Sequence, residues 1–156
     1  MSGKSCTFFG HRNTPDGVRG KLHDTLVELI EHDGVDTFYV GNQGSFDSMV
    51  HKELKALSKV YPHIRYSVVL AYMPEKRSEY DITDYTDTVF PEGLETVPRK
   101  FAVDRRNSMM LDWSDIVVTY ITHSGGGAAK FKELAEKKGQ VVINLAKWSK
   151  YNAPFR

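Results

Sequence analysis

The chain has 156 residues and 17.7 kDa, is 40% hydrophobic and 26% charged, and so suits one domain with a proper core while leaving two domains cramped. Eight Phe, eight Tyr and two Trp exclude a disordered chain, and 12 Gly with 6 Pro exclude a collagen-like or low-complexity one. The 21 basic residues against 20 acidic ones, net +1, are not the footprint of a protein that wraps long nucleic acid, and a lone cysteine, Cys6, excludes an intrachain disulfide. No apolar run approaches the roughly 20 residues of a membrane span and Met1 to Lys4 open no signal peptide, so a soluble cytoplasmic protein is expected.

The first predicted strand is Cys6 to Phe9, apolar without polar alternation, as in a parallel strand buried on both faces. Thr14 and Pro15 follow as an N-cap and a first helical residue, leading into Val18, Leu22, Leu26, Leu29 and Ile30 at a 3.6-residue period. Thr37 to Val40 is the second strand. After its turn, Ser45 is the expected cap of a helix carrying Phe46, Met49, Val50, Leu54 and Leu57 on one face. Tyr66 to Ala71 is the third strand.

Residues 72–98 break the pattern with Pro74, Pro91, Pro98, seven carboxylates and only two bases. Long loops in compact domains tend to be lids or binding loops, and Tyr72, Tyr80, Tyr85 and Phe90 favour a lid over a solvated acidic excursion. A shorter helix is predicted from Asp104, as its cap, to Trp113, with Met109, Met110 and Trp113 as core. Arg105 and Arg106 lie about 100° apart on it, so one at most faces a common site. Ile116 to Ile121 and Val141 to Leu145 are the last strands, flanking a helix from Gly126 to Lys138 that stops before Gly139. The stretch from Lys130 to Arg156 is basic, with seven Lys or Arg and two Glu, and residues 147–156 are the C-terminal tail. The order βαβαβ, a long insertion, then αβαβ predicts a single doubly wound α/β domain with a mostly parallel, five-stranded Rossmann-like sheet and helices on both faces.

In a parallel sheet the loops after each strand share the carboxyl-terminal edge, where open α/β sheets bind ligands. Those loops are the unusual ones: Gly10, His11, Arg12; then Gly41, Asn42, Gln43, Gly44; then the insertion; then His123, Ser124, Gly125, Gly126, Gly127. The last combines glycines, which admit an anion to backbone N–H groups, with the positive end of the next helix dipole. It is neither a Walker loop nor the spaced glycine pattern of dinucleotide folds. Arg12 can clamp a phosphate bidentately or form a surface ion pair. His11 either orients a ligand or bonds its neighbouring loop. Asp47, in a helix's first turn, either stabilises that helix through its dipole or faces a sugar hydroxyl, since it would repel phosphate. No metal site and no serine-histidine-acid triad is apparent, and no cofactor is implied.

Three stretches in this order resemble the SLOG superfamily, which includes the lonely-guy phosphoribohydrolases, DNA-processing protein A and YpsA-like proteins. They are Phe8 to Arg12; Asp104, Arg105, Arg106, Asn107 with Met110, Ser114 and Asp115; and Ser124 to Gly127. The YpsA-like branch looks most similar through Gly10 to Arg12 and Gly41 to Gly44. The resemblance implies a pocket for a nucleotide or ADP-ribose-type ligand, bound by Gly10, His11, Arg12, Gly41, Asn42, Gly44, Asp47, Arg106, Asn107, Ser124, Gly125, Gly126 and Gly127. The lonely-guy enzymes continue their glycine motif to a Thr and a catalytic Glu, where this chain has Ala128 and Phe131. Glu133 points about 200° from the motif position and does not replace it. The leading expectation is therefore a sensor or sequestering protein for such a ligand, with a homodimer as its expected assembly. An N-glycoside hydrolase or transferase is the alternative and needs another carboxylate, Asp47 or an acid of the insertion such as Glu92 or Glu95. A single-stranded nucleic-acid module is the second alternative, disfavoured by the near-neutral charge.

Overall fold

The computed structural model describes residues 3–72 and 86–146. Six parallel strands form one sheet: β1 (Lys4–Gly10), β2 (Val35–Val40), β3 (Arg65–Val69), β4 (Thr88–Val89), β5 (Ile116–Tyr120) and β6 (Val141–Asn144), in the spatial order β4-β3-β2-β1-β5-β6. Four helices accompany them: α1 (Arg19–Glu31), α2 (Gly44–Val60), α3 (Arg99–Asp112) and α4 (Gly126–Lys137). The architecture is Rossmann-like, with one strand more than the expected five. The extra strand, β4, comes from the insertion, where Val68 N–H and Leu70 N–H donate to the carbonyls of Asp87 and Val89.

The apolar runs form strands because both sheet faces are covered. On one face Cys6 and Phe8 of β1 pack with Leu22 and Leu26 of α1 and with Phe46 and Val50 of α2. On the other, Phe9 meets Val117, Met110 and Phe131, its ring 5.2 Å from that of Phe131. Each such aromatic or leucine side chain contributes about 1.5–3 kcal/mol on burial. Cys6 is fully buried in the middle of the sheet, opposite Phe38 and Ile116.

Helix starts depart from the expected caps. Thr14 and Pro15 precede a 3-10 turn, Asp16–Val18, and α1 begins only at Arg19; the Thr14 hydroxyl donates instead to the His11 carbonyl at 2.8 Å. Ser45 lies inside α2, whose cap is Gln43. Its hydroxyl donates to the Arg12 carbonyl at 2.6 Å and accepts the Thr14 N–H at 2.6 Å, tying the loop after β1 to the start of α2. Asp104 does not cap α3, which starts five residues earlier behind Pro98; its carboxylate pairs with Lys130 at 3.1 Å. Met110 is core, whereas Trp113 is 40% exposed and lies against the Tyr39 ring at 5.2 Å.

The lid expected over 72–98 lies partly outside the described residues, at 73–85, and the tail 147–156 lies wholly outside them. The remainder of the insertion is built into the domain. Beyond β4, Phe90 packs on the core and Leu94 is buried, while the Asp87 carboxylate accepts bonds from His51 at 2.8 Å and Tyr66 at 2.7 Å. No described helix is long and apolar enough to cross a membrane.

Candidate functional site

Strands β1 to β4 run outward from β1 in one direction, and β5 and β6 in the other. The reversal therefore falls between β1 and β5, where loops leaving adjacent strand ends diverge and open a crevice. Gly10 and Tyr120 are register partners there, and the two loops stay joined beyond the strands. His11 N–H donates to the Tyr120 carbonyl at 3.2 Å, and Thr122 N–H donates to His11 Nε2 at 2.9 Å. The crevice has a volume of about 750 Å³, within the range of small-molecule sites. Its walls include Gly10, His11, Arg12, Asp47, Arg106 and Asn107, with Gly125, Gly126 and Gly127 at the mouth of α4.

The glycine turn opens α4 with no side-chain cap, and Gly125 and Gly126 adopt φ of +94° and +83°, which favour glycine strongly. Nothing lies within 4 Å of where a Cβ would stand on any of the three glycines, so their backbone faces open space. The first N–H groups of a helix have no intrahelical partner and carry its positive dipole end. Arg12 borders the same crevice, and among the described residues its guanidinium makes no hydrogen bond or ion pair.

Of the adjacent pair Arg105 and Arg106 of α3, Arg106 is turned inward, 1% exposed, and Arg105 outward. Arg106 is tied in place: its Nη1 donates to the Val69 carbonyl at 2.8 Å and to Asn42 at 3.1 Å, and its Nε to Asn107 at 2.8 Å. It thereby fastens the ends of β2 and β3 to α3. Gly41 is required beneath it, since a Cβ there would stand 2.9 Å from both the guanidinium carbon and Asp47 Oδ2. Burial pulls the Arg106 pKa below its ordinary value, and the Asp47 charge opposes that.

Asp47 is buried beside this cluster, with Oδ2 accepting the Gln43 N–H at 2.9 Å. Burial lifts its carboxyl to a pKa of about 6, although the Gln43 N–H, Arg106 and Arg12 all act to lower it. A carboxyl poised there exchanges protons near neutrality, a property concentrated at functional sites. His11 is held below its ordinary pKa by burial and by neighbouring His123. With Nε2 accepting a backbone N–H, it is the neutral tautomer protonated at Nδ1.

Some of the sequence-derived positions lie elsewhere. Gly41, Asn42 and Gly44 line a separate hollow of about 170 Å³ that shares Asp47 with the crevice; Gly44, at φ +91°, packs on the Arg12 backbone. Ser124 is exposed and is not part of the crevice wall. Glu95 is not brought to the crevice either: its carboxylate accepts the Gly93 N–H at 2.9 Å, and Glu92 is exposed on the same turn. Gln43 and His123, placed by sequence on the loops of this edge but not among the expected ligand-binding residues, line the crevice, as does Tyr120, which the sequence marks only as part of a strand. Among the described residues no group of three or more His, Cys, Asp or Glu is arranged to hold a metal ion.

No family model matches the chain, and no curated protein matches it in sequence. Among solved structures, DNA processing protein A from Helicobacter pylori, described for its single-stranded DNA binding mode, has a similar fold: the TM-score is 0.56 at 13% identity, over 90% of this chain and 64% of that one. The chain thus spans a little under two thirds of that protein's length. At this identity the likeness is one of fold, and it places the chain among Rossmann-like α/β domains.

Proposed function

We propose that this domain binds a nucleotide or nucleotide-derived ligand of the ADP-ribose type in the crevice between β1 and β5, as a sensor or a sequestering protein of the SLOG type. The observation that carries this reading is convergence: an arginine whose guanidinium makes no hydrogen bond or ion pair among the described residues, an uncapped glycine turn at a helix start and a buried carboxyl of raised pKa border one hollow of suitable size. In this reading the glycine turn and Arg12 take phosphate, and Asp47 with Asn107 takes sugar hydroxyls. Calorimetry with AMP, ADP, ADP-ribose and ribose 5-phosphate tests it. Binding by the native protein, lost in Arg12→Ala and in Gly126→Val, is expected; no binding of any member by the native protein refutes it.

A second reading, contact with single-stranded nucleic acid, is favoured by the fold likeness to DNA processing protein A. Its signature is salt-dependent retardation of an oligodeoxynucleotide with no affinity for the mononucleotides. Turnover of an N-glycosidic bond would fall to Asp47, the candidate carboxylate that borders the crevice, and would appear as released base on chromatography, abolished in Asp47→Asn.

A further inference from the structure

The loop after β5 brings a second imidazole to the crevice. The His11 and His123 rings lie parallel, 4.2 Å between centroids and 9° between planes, and both belong to the crevice wall. The pair is rigidly held. His11 is fixed by the Thr122 N–H on its Nε2, by its own N–H on Tyr120, and by the Tyr120 ring edge-on at 6.3 Å. His123 is held by the stack and by the Thr122 hydroxyl, 3.0 Å from its Nδ1, yet remains exposed.

We propose that this pair is the nucleobase subsite of the crevice: a flat aromatic wall on which the base of a bound nucleotide stacks, against the face of His123 turned away from His11. The assignment rests on the crevice being a nucleotide site. Three observations carry it. The His123 ring stacks flat on His11, whose Nε2 accepts a backbone N–H, so this wall offers a planar aromatic face on which another planar ring can stack. The phosphate-suited groups, Arg12 and Gly125 to Gly127, border the same hollow. The wall is held by hydrogen bonds and ring contacts within the protein, so stacking upon it requires little ordering.

Calorimetry with AMP and with ribose 5-phosphate, which lacks the base, tests the assignment on the native chain, His123→Ala and His123→Phe. Native protein is expected to bind AMP more tightly than ribose 5-phosphate. In His123→Ala the AMP affinity should fall about 5- to 150-fold, the range for loss of one base-stacking aromatic, with ribose 5-phosphate unchanged. In His123→Phe the AMP affinity should persist. Equal native affinities for the two ligands, a matched loss or no loss in His123→Ala, or a Phe variant as weak as the Ala variant, would each overturn the subsite while leaving the nucleotide reading intact. If neither compound binds the native protein, the subsite falls, and the nucleotide reading falls with it when ADP and ADP-ribose fail to bind as well. His123 is exposed, and unchanged thermal melts of the variants would exclude misfolding as the source of any loss.

Discussion

Replacing Asp47 with asparagine separates the cost of a buried charge from the packing around it. The native carboxyl titrates at about 6 rather than 3.8, so the folded state holds its proton more tightly than the unfolded chain does. The resulting stabilisation is fully present below the unfolded value and is lost as the pH rises through about 6. Its size follows from the displacement between the two values, about 3 kcal/mol. Asparagine resembles the protonated acid, keeps an oxygen for the Gln43 N–H and does not titrate. The variant should match the native protein near pH 4 and exceed it by up to about 3 kcal/mol at pH 7, or roughly 6–12 °C in Tm for a domain of this size. Circular-dichroism melts of both proteins at pH 4, 5, 6 and 7 measure the gap. A gap that is constant with pH, or a variant less stable than the native protein at pH 7, would refute the reasoning. If the charge is kept for binding, the stabilised variant should also bind ligand more weakly.

Arg106→Ala should cost about 3–5 kcal/mol, because it leaves the buried Asp47 carboxylate without the guanidinium beside it and takes the donor from the Val69 carbonyl; urea unfolding at pH 7 checks this. Gly127→Ala should raise stability by about 0.4–1 kcal/mol, since its φ is ordinary and space for the methyl is open, and should weaken ligand binding by covering the turn. Paired melts and calorimetry would show the two effects moving in opposite directions. For His11 the folded state disfavours the protonated ring, so its contribution to stability is lost as the pH falls below the unfolded value near 6.5. His11→Gln should flatten the native loss of stability on the acid side, as measured by the same melts.

The strands were legible because burial on both faces leaves apolar runs with no other explanation, as at Ile116 to Ile121. Strand β4 was not, since it consists of two residues, Thr88 and Val89, whose pairing is set by the free edge of β3 rather than by their own pattern. The start of α3 was hidden by a charged first turn, Arg99 and Lys100, while Asp104 offered a more familiar cap. Thr14 and Ser45 are capping residue types, but the Thr14 hydroxyl bonds back to the His11 carbonyl, and the Ser45 hydroxyl takes the Thr14 N–H from 31 residues away, which local sequence cannot reveal. At the site, loop position alone picked out Arg12 and the glycine turn. Choosing Arg106 over Arg105 required the phase of α3, and the His11–His123 contact required knowing that β1 and β5 are neighbours.

Cys6 sits at the centre of the sheet with no exposed surface, and burial pushes its thiol far above the ordinary range. It can meet an alkylating reagent only when α1 or α2 lifts from the sheet or the sheet itself opens. The chain thus carries its own chemical clock for opening of the molecule's interior. Labelling rates with and without a metabolite could report ligand-induced tightening without any engineered probe.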